Sequence, residues 1–301
     1  EMCIRDSFKN GLHFGVTASV ADDKTEVTKW TYNTKIPSYG ATGWWDKSAY
    51  KEGMVLGDIW GLQFDRFLTE DDFNADGSLK AGLPDQTKVF PAGYQFAPGD
   101  VLYKDLDNNG EIVKQTNTND KGDLSVIGNA LPRLQFGLNL DAAWKGFDIS
   151  MFFQGVAKRK LWAAGNQVLP GFTTGEPFYK GAEDYWTPEN TDAFYPRPMD
   201  YKQSASGNYS VNDRYLLNMA YLRLKTFTVG YSLPKVWLSK FKVQGLRVYF
   251  TGENLFTIDG VKPAIDPEIG IRTASGKSDQ RNFGRSYPYQ KTVSFGIQLS
   301  L

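Results

Sequence analysis

"YPYQKTVSFGIQLSL", Tyr287 to Leu301, closes the chain with apolar residues at Val293, Phe295, Ile297, Leu299 and Leu301. Small or polar residues stand between them at Thr292, Ser294, Gly296, Gln298 and Ser300. Strict period-two alternation is the pattern of a β-strand with one apolar face. Here it runs into the last residue with no polar tail, whereas the ends of most soluble domains fray. The question it poses is what that apolar face meets.

The same pattern recurs upstream. Leu12, Phe14, Val16, Ala18 and Val20 alternate with His13, Gly15, Thr17 and Ser19, and a polar turn at "ADDK" leads to a second run from Val27 through Trp30 to Ile36. Leu134, Phe136, Leu138, Leu140 and Ala142 alternate likewise, and a tight "WKG" turn at Trp144–Gly146 leads into Phe147, Ile149, Met151 and Phe153. That spacing predicts a hairpin with both apolar faces on one side. "YLRLKTFTVGYSL" (Tyr221–Leu233) and "LRVYFTGENLF" (Leu246–Phe256) follow, joined by a Pro-started, helix-compatible link at Pro234–Lys242. Val55–Phe67 reads as a further, less regular strand, for roughly nine or ten strands in all.

Composition narrows what such strands build. The 301 residues hold 34 Lys+Arg against 34 Asp+Glu, which removes the basic footprint of a nucleic-acid binder. Aromatics reach 15% and Gly 30 residues, favouring strands and turns. Mean hydropathy is −0.43 and no stretch approaches the length of a membrane-spanning helix, but a transmembrane barrel needs only about ten alternating residues per strand. One Cys (Cys3) and one His (His13) disfavour the common zinc, Ser-His-Asp and Cys-His chemistries. His13, on the polar side of its strand, reads as structural or lumen-facing.

The connections divide into two kinds. Those near Asp22, Lys145 and Val236 read as short; Pro37–Gly53, Ala157–Ala220 and Thr257–Gln290 are long and rich in Gly, Pro, Asn and Trp. Short turns at one end and long loops at the other are the asymmetry of outer-membrane barrels. If the C-terminus lies at the short-turn end, strand parity requires one more crossing between Phe67 and Leu131, expected near Val89–Tyr103.

In order, "GDVLYKDLDNNGEI", "VIGNALPRLQFGLNLDAAWKGFDISMFFQGV", "DYWTPENTDAFYPR", "YLRLKTFTVGYSLPK", "LRVYFTGENLFT" and the alternating terminal strand resemble the C-terminal part of SusC/RagA-type TonB-linked outer-membrane transporters, from about Gly11 to Leu301. The resemblance implies an all-β fold, an antiparallel portion of a 22-stranded transmembrane β-barrel with long extracellular loops. It also implies an N-terminal plug and a TonB-binding segment, neither of which this sequence contains. A SusD-like lid lipoprotein, the barrel-assembly machinery and membrane lipid are the implied partners, and the Gram-negative outer membrane the implied location. The implied function is import of oligosaccharides or peptides, without enzymatic chemistry. Residues 8–301 then form the C-terminal barrel section. "EMCIRDS" (Glu1–Ser7), which shows no periodicity linking it to the next strand, reads as a non-native leader. Alone, such a section leaves two open sheet edges with on the order of ten unpaired polar groups each, at roughly 2 kcal/mol or more apiece in lipid. A soluble or surface glycan-binding β-sandwich is the alternative reading, and a β-rich glycoside hydrolase a third.

Two sets of residues are candidates for binding. "DLDNNGEI" places Asp105, Asp107 and Asn109 at the first, third and fifth positions of an EF-hand-like loop with Gly110 sixth, the oxygen spacing of a Ca²⁺ site. Its twelfth position is Thr116 rather than Glu, so Asp120 or Asp123 would have to complete it; an ion-free Asx-rich turn is the plain alternative. No other cofactor is expected. Trp44, Trp45, Trp162 and Trp186, with Tyr195, are the loop aromatics that stack on sugar rings or a lid protein, set against simple packing within folded loops. Trp144, Trp237, Tyr287 and Tyr289 at strand ends suit an interfacial girdle. Glu253 and Asn254 of "GENLF" read as securing a turn at a strand end.

Overall fold

The computed structural model describes residues 2–8, 11–30, 52–114, 121–163, 165, 167–172, 178–199, 207–239, 243–262, 265–268, 287 and 289–301. In chain order its strands are β1 (Met2–Ser7), β2 (His13–Ala21), β3 (Asp58–Gly61), β4 (Phe64–Phe67), β5 (Val101–Tyr103), β6 (Ser125–Asn129) and β7 (Arg133–Trp144). There follow β8 (Phe147–Lys158), β9 (Lys160–Leu161), β10 (Leu217–Asn218), β11 (Tyr221–Ser232), the one-turn helix α1 (Lys235–Leu238), β12 (Gly245–Asp259) and β13 (Thr292–Ser300).

Seven of these strands form one antiparallel sheet in the order β1-β2-β7-β8-β11-β12-β13. Its register carries the alternation of every strand onto common faces. Phe14 stands opposite Ala142, Ala142 opposite Ile149, Ile149 opposite Val229, Val229 opposite Phe250 and Phe250 opposite Phe295. One row over, Gly15, Asp141, Ser150, Thr228, Thr251 and Ser294 line the other face. Among the described residues nothing covers the apolar face: Phe295 is 82% exposed and Ile297 73%. A sheet with one continuous bare apolar face and one polar face is built to stand between lipid and water.

Tight connections gather at one end of this sheet. Lys145 (φ 48°) and Gly146 (φ 90°) form a two-residue turn in the left-handed region, the geometry that matches strand twist in a hairpin. β1 meets β2 at the same end, with Ser7 opposite His13, and α1 bridges β11 to β12 there. Met2–Ser7, read as a non-native leader, is thus a strand, with Met2 opposite Ala18 and Ile4 opposite Val16 on the apolar face.

All three long connections leave from the opposite end, and here the structure corrects the sequence reading. The chain leaving β2 at Asp22 makes no short turn. The next strand of the sheet among the described residues is β7, which pairs directly with β2, and residues 31–36 of the run expected to follow that turn lie outside the described residues. Val55–Phe67 is no wall strand: Gly57 (φ 95°) stands before β3, and the two pieces, β3 and β4, pair with β6 and β5 in small sheets outside the main one. Val89–Tyr103 makes no crossing, because β5 is buried on every residue. Parity is satisfied without it, since β2 pairs directly with β7 and no described residue between them joins the main sheet. The main sheet therefore has seven strands among the described residues rather than nine or ten.

The hydrophobic cores lie in these excursions, not under the sheet. One cluster joins Ile59 with Leu161, Trp162, Leu169, Tyr215 and Met219; the other joins Leu62 with Val89, Val101, Tyr103, Ile112 and Trp186. Each takes residues from both of the first two long connections, so they fold together as one lobe at the end of the wall. "GENLF" also differs from expectation. β12 runs straight through it, and Asn254 (φ 50°) sits in a bulge where the pairing to β11 slips past Lys225.

Candidate functional site

The lobe carries the candidate binding residues. Trp162 is 1% exposed within the first core cluster and Trp186 7% exposed within the second. Trp186 packs so closely on Gly99 (φ 90°) that a Cβ there would lie 2.5 Å from the indole. Both rings are buried among core residues and offer no open platform. Trp44 and Trp45 lie outside the described residues.

The aromatics that do line open space come from the second long connection. A groove of about 510 Å³ is bounded by Phe178, Tyr179, Tyr185, Tyr195 and Tyr209, with Lys180 and Glu183 beside them. Its floor is fixed. The Tyr195 hydroxyl donates to the Val168 carbonyl at 3.0 Å, and its ring lies parallel to Tyr215, against which Tyr209 packs edge-on. Burial pushes the Tyr195 phenol up to about 12. Its walls are open: Tyr185 is 40% exposed and Phe178 58%. Of these residues only Tyr195 was singled out from the sequence, because no periodicity links positions that meet through a loop fold.

The acidic turn closes around a third carboxylate. Oxygens of Asp105, Asp107 and Asp123 lie within 4.8 Å of one another, so Asp123 stands at the open end of the loop, while Thr116 and Asp120 lie outside the described residues. Asp105 accepts the amide of Gly110 at 2.8 Å, and Asp107 accepts that of Asn109 at 3.1 Å. Asp123 accepts Leu106 at 2.7 Å and Val113 at 2.8 Å, which locks it facing the turn. The Asn109 carbonyl oxygen instead accepts the Glu111 amide at 2.7 Å. Desolvation and the neighbouring charges of Asp123 and Asp105 push the Asp107 carboxyl up, against its bond from Asn109. Like charges held this close are relieved by a cation, and hard oxygen donors suit Ca²⁺.

Two further clusters were not visible in the sequence. Asp100, fully buried, accepts Tyr94 at 2.9 Å, Arg197 at 2.8 Å and Asn208 at 2.9 Å, tying the first long connection to the second. Arg223, 3% exposed on the polar face of β11, donates to Thr257 at 2.8 Å, Asp266 at 2.8 Å and Glu268 at 3.0 Å. Lys225 adds a bond to Glu268 at 2.7 Å, and Tyr289 lies over both cations. This pins the third long connection against the end of the wall.

These features define a class: a wall section of an outer-membrane-type β-barrel, polar on one face, with its long connections folded into a lobe at one end. No family model matches the chain. Among curated proteins it is 29% identical to TonB-dependent receptor P3 of Formosa agariphila over 83% of this chain and 22% of that protein. It is 32% identical to TonB-dependent receptor P26 of the same organism over 64% of this chain and 19% of that protein. TonB-dependent receptor SusC of Bacteroides thetaiotaomicron is 25% identical over 77% of this chain and 22% of its own length. Among solved structures, the RagAB peptide transporter superposes with a TM-score of 0.63 at 19% identity, over 98% of this chain and 28% of that one. The resemblance to SusC/RagA-type TonB-linked transporters is borne out, and so is the all-β barrel class. The chain spans about a fifth of the length of the curated relatives it matches. Those relatives are receptors, and the structural neighbour is a transporter; their names describe no enzyme.

Proposed function

We propose that the chain forms wall and outer loops of a TonB-dependent importer of oligosaccharides or peptides in the outer membrane of a Gram-negative bacterium. The observation that carries this reading is the main sheet: a continuous bare apolar face, a polar opposite face, and long connections collected at one end. A β-sandwich would bury its apolar faces against each other, and here the apolar face meets no protein among the described residues. Among the described residues β1 and β13 each pair on one edge only, so in lipid both need further strands. The polar face then lines the lumen and the lobe stands outside the cell.

In this reading a SusD-like lipoprotein closes over the lobe. TonB acts through a segment outside this sequence, and the barrel-assembly machinery reads β13. The chain makes no covalent bond with its cargo. The Asp105–Asp107–Asp123 turn holds a structural Ca²⁺ that stiffens the lobe. The test is uptake: cells carrying the gene are compared with a deletion strain and with a strain lacking TonB, using labelled oligosaccharides and peptides as sole nutrients. Growth lost in both mutants on the same nutrient supports the importer. Recovery of the protein in the soluble fraction, or growth unaffected by either deletion, overturns it.

A further inference from the structure

We infer that Asn109 is a site of spontaneous covalent modification: its carboxamide closes on the Gly110 backbone nitrogen, loses ammonia and is hydrolysed to aspartate or isoaspartate. Water is the one co-reactant, and transport plays no part in the step.

The step needs a backbone nitrogen that can approach the carboxamide of the residue before it. Glycine, without a Cβ, hinders that approach least. Asn–Gly occurs twice in the sequence, and Asn10 of the other pair lies outside the described residues. At the acidic turn Asn109 and Gly110 are both exposed, Gly110 sits at φ 85°, and a Cβ built on it would have nothing within 4 Å. Among the described residues nothing crowds this side of the turn.

Hydrogen bonds already made in the turn prepare the step. The Glu111 amide donates to Asn109 Oδ1 at 2.7 Å, an Asx-turn that folds the carboxamide back toward the Gly110 peptide. The same amide is in place for the negative charge that grows on Oδ1 as the Gly110 nitrogen bonds to Cγ. The Gly110 N–H donates to Asp105 Oδ2 at 2.8 Å, so a carboxylate stands where the proton must go. Asn109 Nδ2, the leaving nitrogen, donates to Asp107 Oδ2 at 3.0 Å. The N–Cγ bond forms and the Cγ–Nδ2 bond breaks. The Gly110 proton passes through Asp105 and water to the departing nitrogen, which leaves as ammonia. Water then opens the imide ring at either carbonyl. One product sets a carboxylate at position 109 beside those of Asp105, Asp107 and Asp123; the other, isoaspartate, adds a methylene to the backbone of the turn.

The test ages the protein, purified in detergent from outer membranes and stripped with chelator, at mildly alkaline pH. Mass spectrometry follows its tryptic peptide 105–114. The reference is the same peptide, synthesised with capped ends and free in solution. The expected result is an amide-to-acid mass gain at Asn109, formed about tenfold or more faster in the folded protein than in the free peptide. Asp105→Asn should bring the folded rate down to that of the free peptide. Conversion no faster in the folded protein than in the free peptide, equal conversion at Asn108, or a rate indifferent to Asp105→Asn would each overturn the inference. Should that variant fail to fold, the comparison of folded protein with free peptide decides by itself.

Discussion

Asp22 and Arg133 form a two-pronged ion pair across the two ends of the longest excursion, one at the residue after β2 and the other at the first residue of β7. The Arg133 Nη2 lies 2.6 Å from Asp22 Oδ2, and the Arg133 Nε donates to Asp22 Oδ1. Asp22 Oδ1 also accepts the Leu134 amide at 3.1 Å. Leu134 is at φ 52°, in the left-handed region. Strands far apart in sequence become neighbours here, and the pair sits at the junction.

That geometry predicts a charge-swap result. The Arg133 guanidinium holds the Asp22 carboxyl down at about 2, so the pair stays ionised throughout the neutral range. Asp22→Arg and Arg133→Asp should each slow refolding into detergent micelles, and the double swap should restore much of the rate. Independent, additive losses in the double variant would show that the pair does not guide the junction.

Two wall glycines should respond differently to alanine. At Gly155 a Cβ would lie 2.5 Å from the Tyr221 carbonyl oxygen, which is backbone, and 2.3 Å from the Phe136 ring. At Gly230 it would meet the tip of Arg247 at 2.5 Å, a flexible side chain lying across the glycine to reach Asp148. Gly155→Ala should cost about 1–3 kcal/mol by overpacking. Gly230→Ala should cost about 1 kcal/mol or less, because Arg247 can swing away from a half-exposed pair. Thermal melting of the two variants in one detergent gives the comparison.

Arg223→Gln leaves Asp266 and Glu268 buried without their principal cation. Removing one partner of a buried pair costs about 3–5 kcal/mol, here local to the third long connection. Limited proteolysis should therefore cut within residues 260–290 faster in the variant while the wall stays intact. Acid should act in the same direction. Although burial opposes it, the Arg223 bond holds the folded Asp266 carboxyl below its ordinary 3.8. The associated stability is thus present above pH 3.8 and is lost as pH falls through the lower folded value. Equal cleavage at pH 5 and pH 3 would contradict this.

The Ca²⁺ proposal has a direct thermal readout. Adding Ca²⁺ to protein stripped with chelator should raise the melting midpoint of the lobe, by binding to the folded state alone. Asp107→Asn should remove that dependence with little other effect, since Asp107 anchors only the Asn109 side of the turn. A midpoint unmoved by Ca²⁺ would leave the turn as an ion-free Asx structure.

Trp162 and Tyr185 separate packing from binding. Trp162→Ala should destabilise the lobe by about 3–5 kcal/mol, the loss typical of a large buried ring, while Tyr185→Ala should leave the melting midpoint nearly unchanged. If the two variants melted alike, the assignment of Trp162 to the core would be wrong.

Much of the wall was legible because strands repeat every two residues, and six alternating segments could each be oriented by inspection. Val55–Phe67 misled because its apolar residues are equally compatible with a strand in lipid and with short strands buried on both sides. Only its glycines hinted at the break. The binding residues were less legible. Trp162 and Trp186 drew attention as large aromatics, but burial is set by neighbours that arrive from distant parts of the chain. The acidic turn was legible through Asn109 because a turn is local. Its third carboxylate, Asp123, was one of two acids the spacing allowed.

The sequence by itself determined the face of the wall strands other than β1, the hairpin at Lys145–Gly146 and the local acidic turn. These depend on interactions between residues a few positions apart, where stereochemistry and period-two geometry leave little choice. The tertiary structure alone decided that β2 lies beside β7 and that both apolar cores belong to the lobe. It also decided that Tyr185 stays open while Trp186, the next residue, is buried. Those outcomes come from contacts between segments tens of residues apart, whose selection depends on packing and the burial of charge, neither of which leaves a periodic trace in the chain.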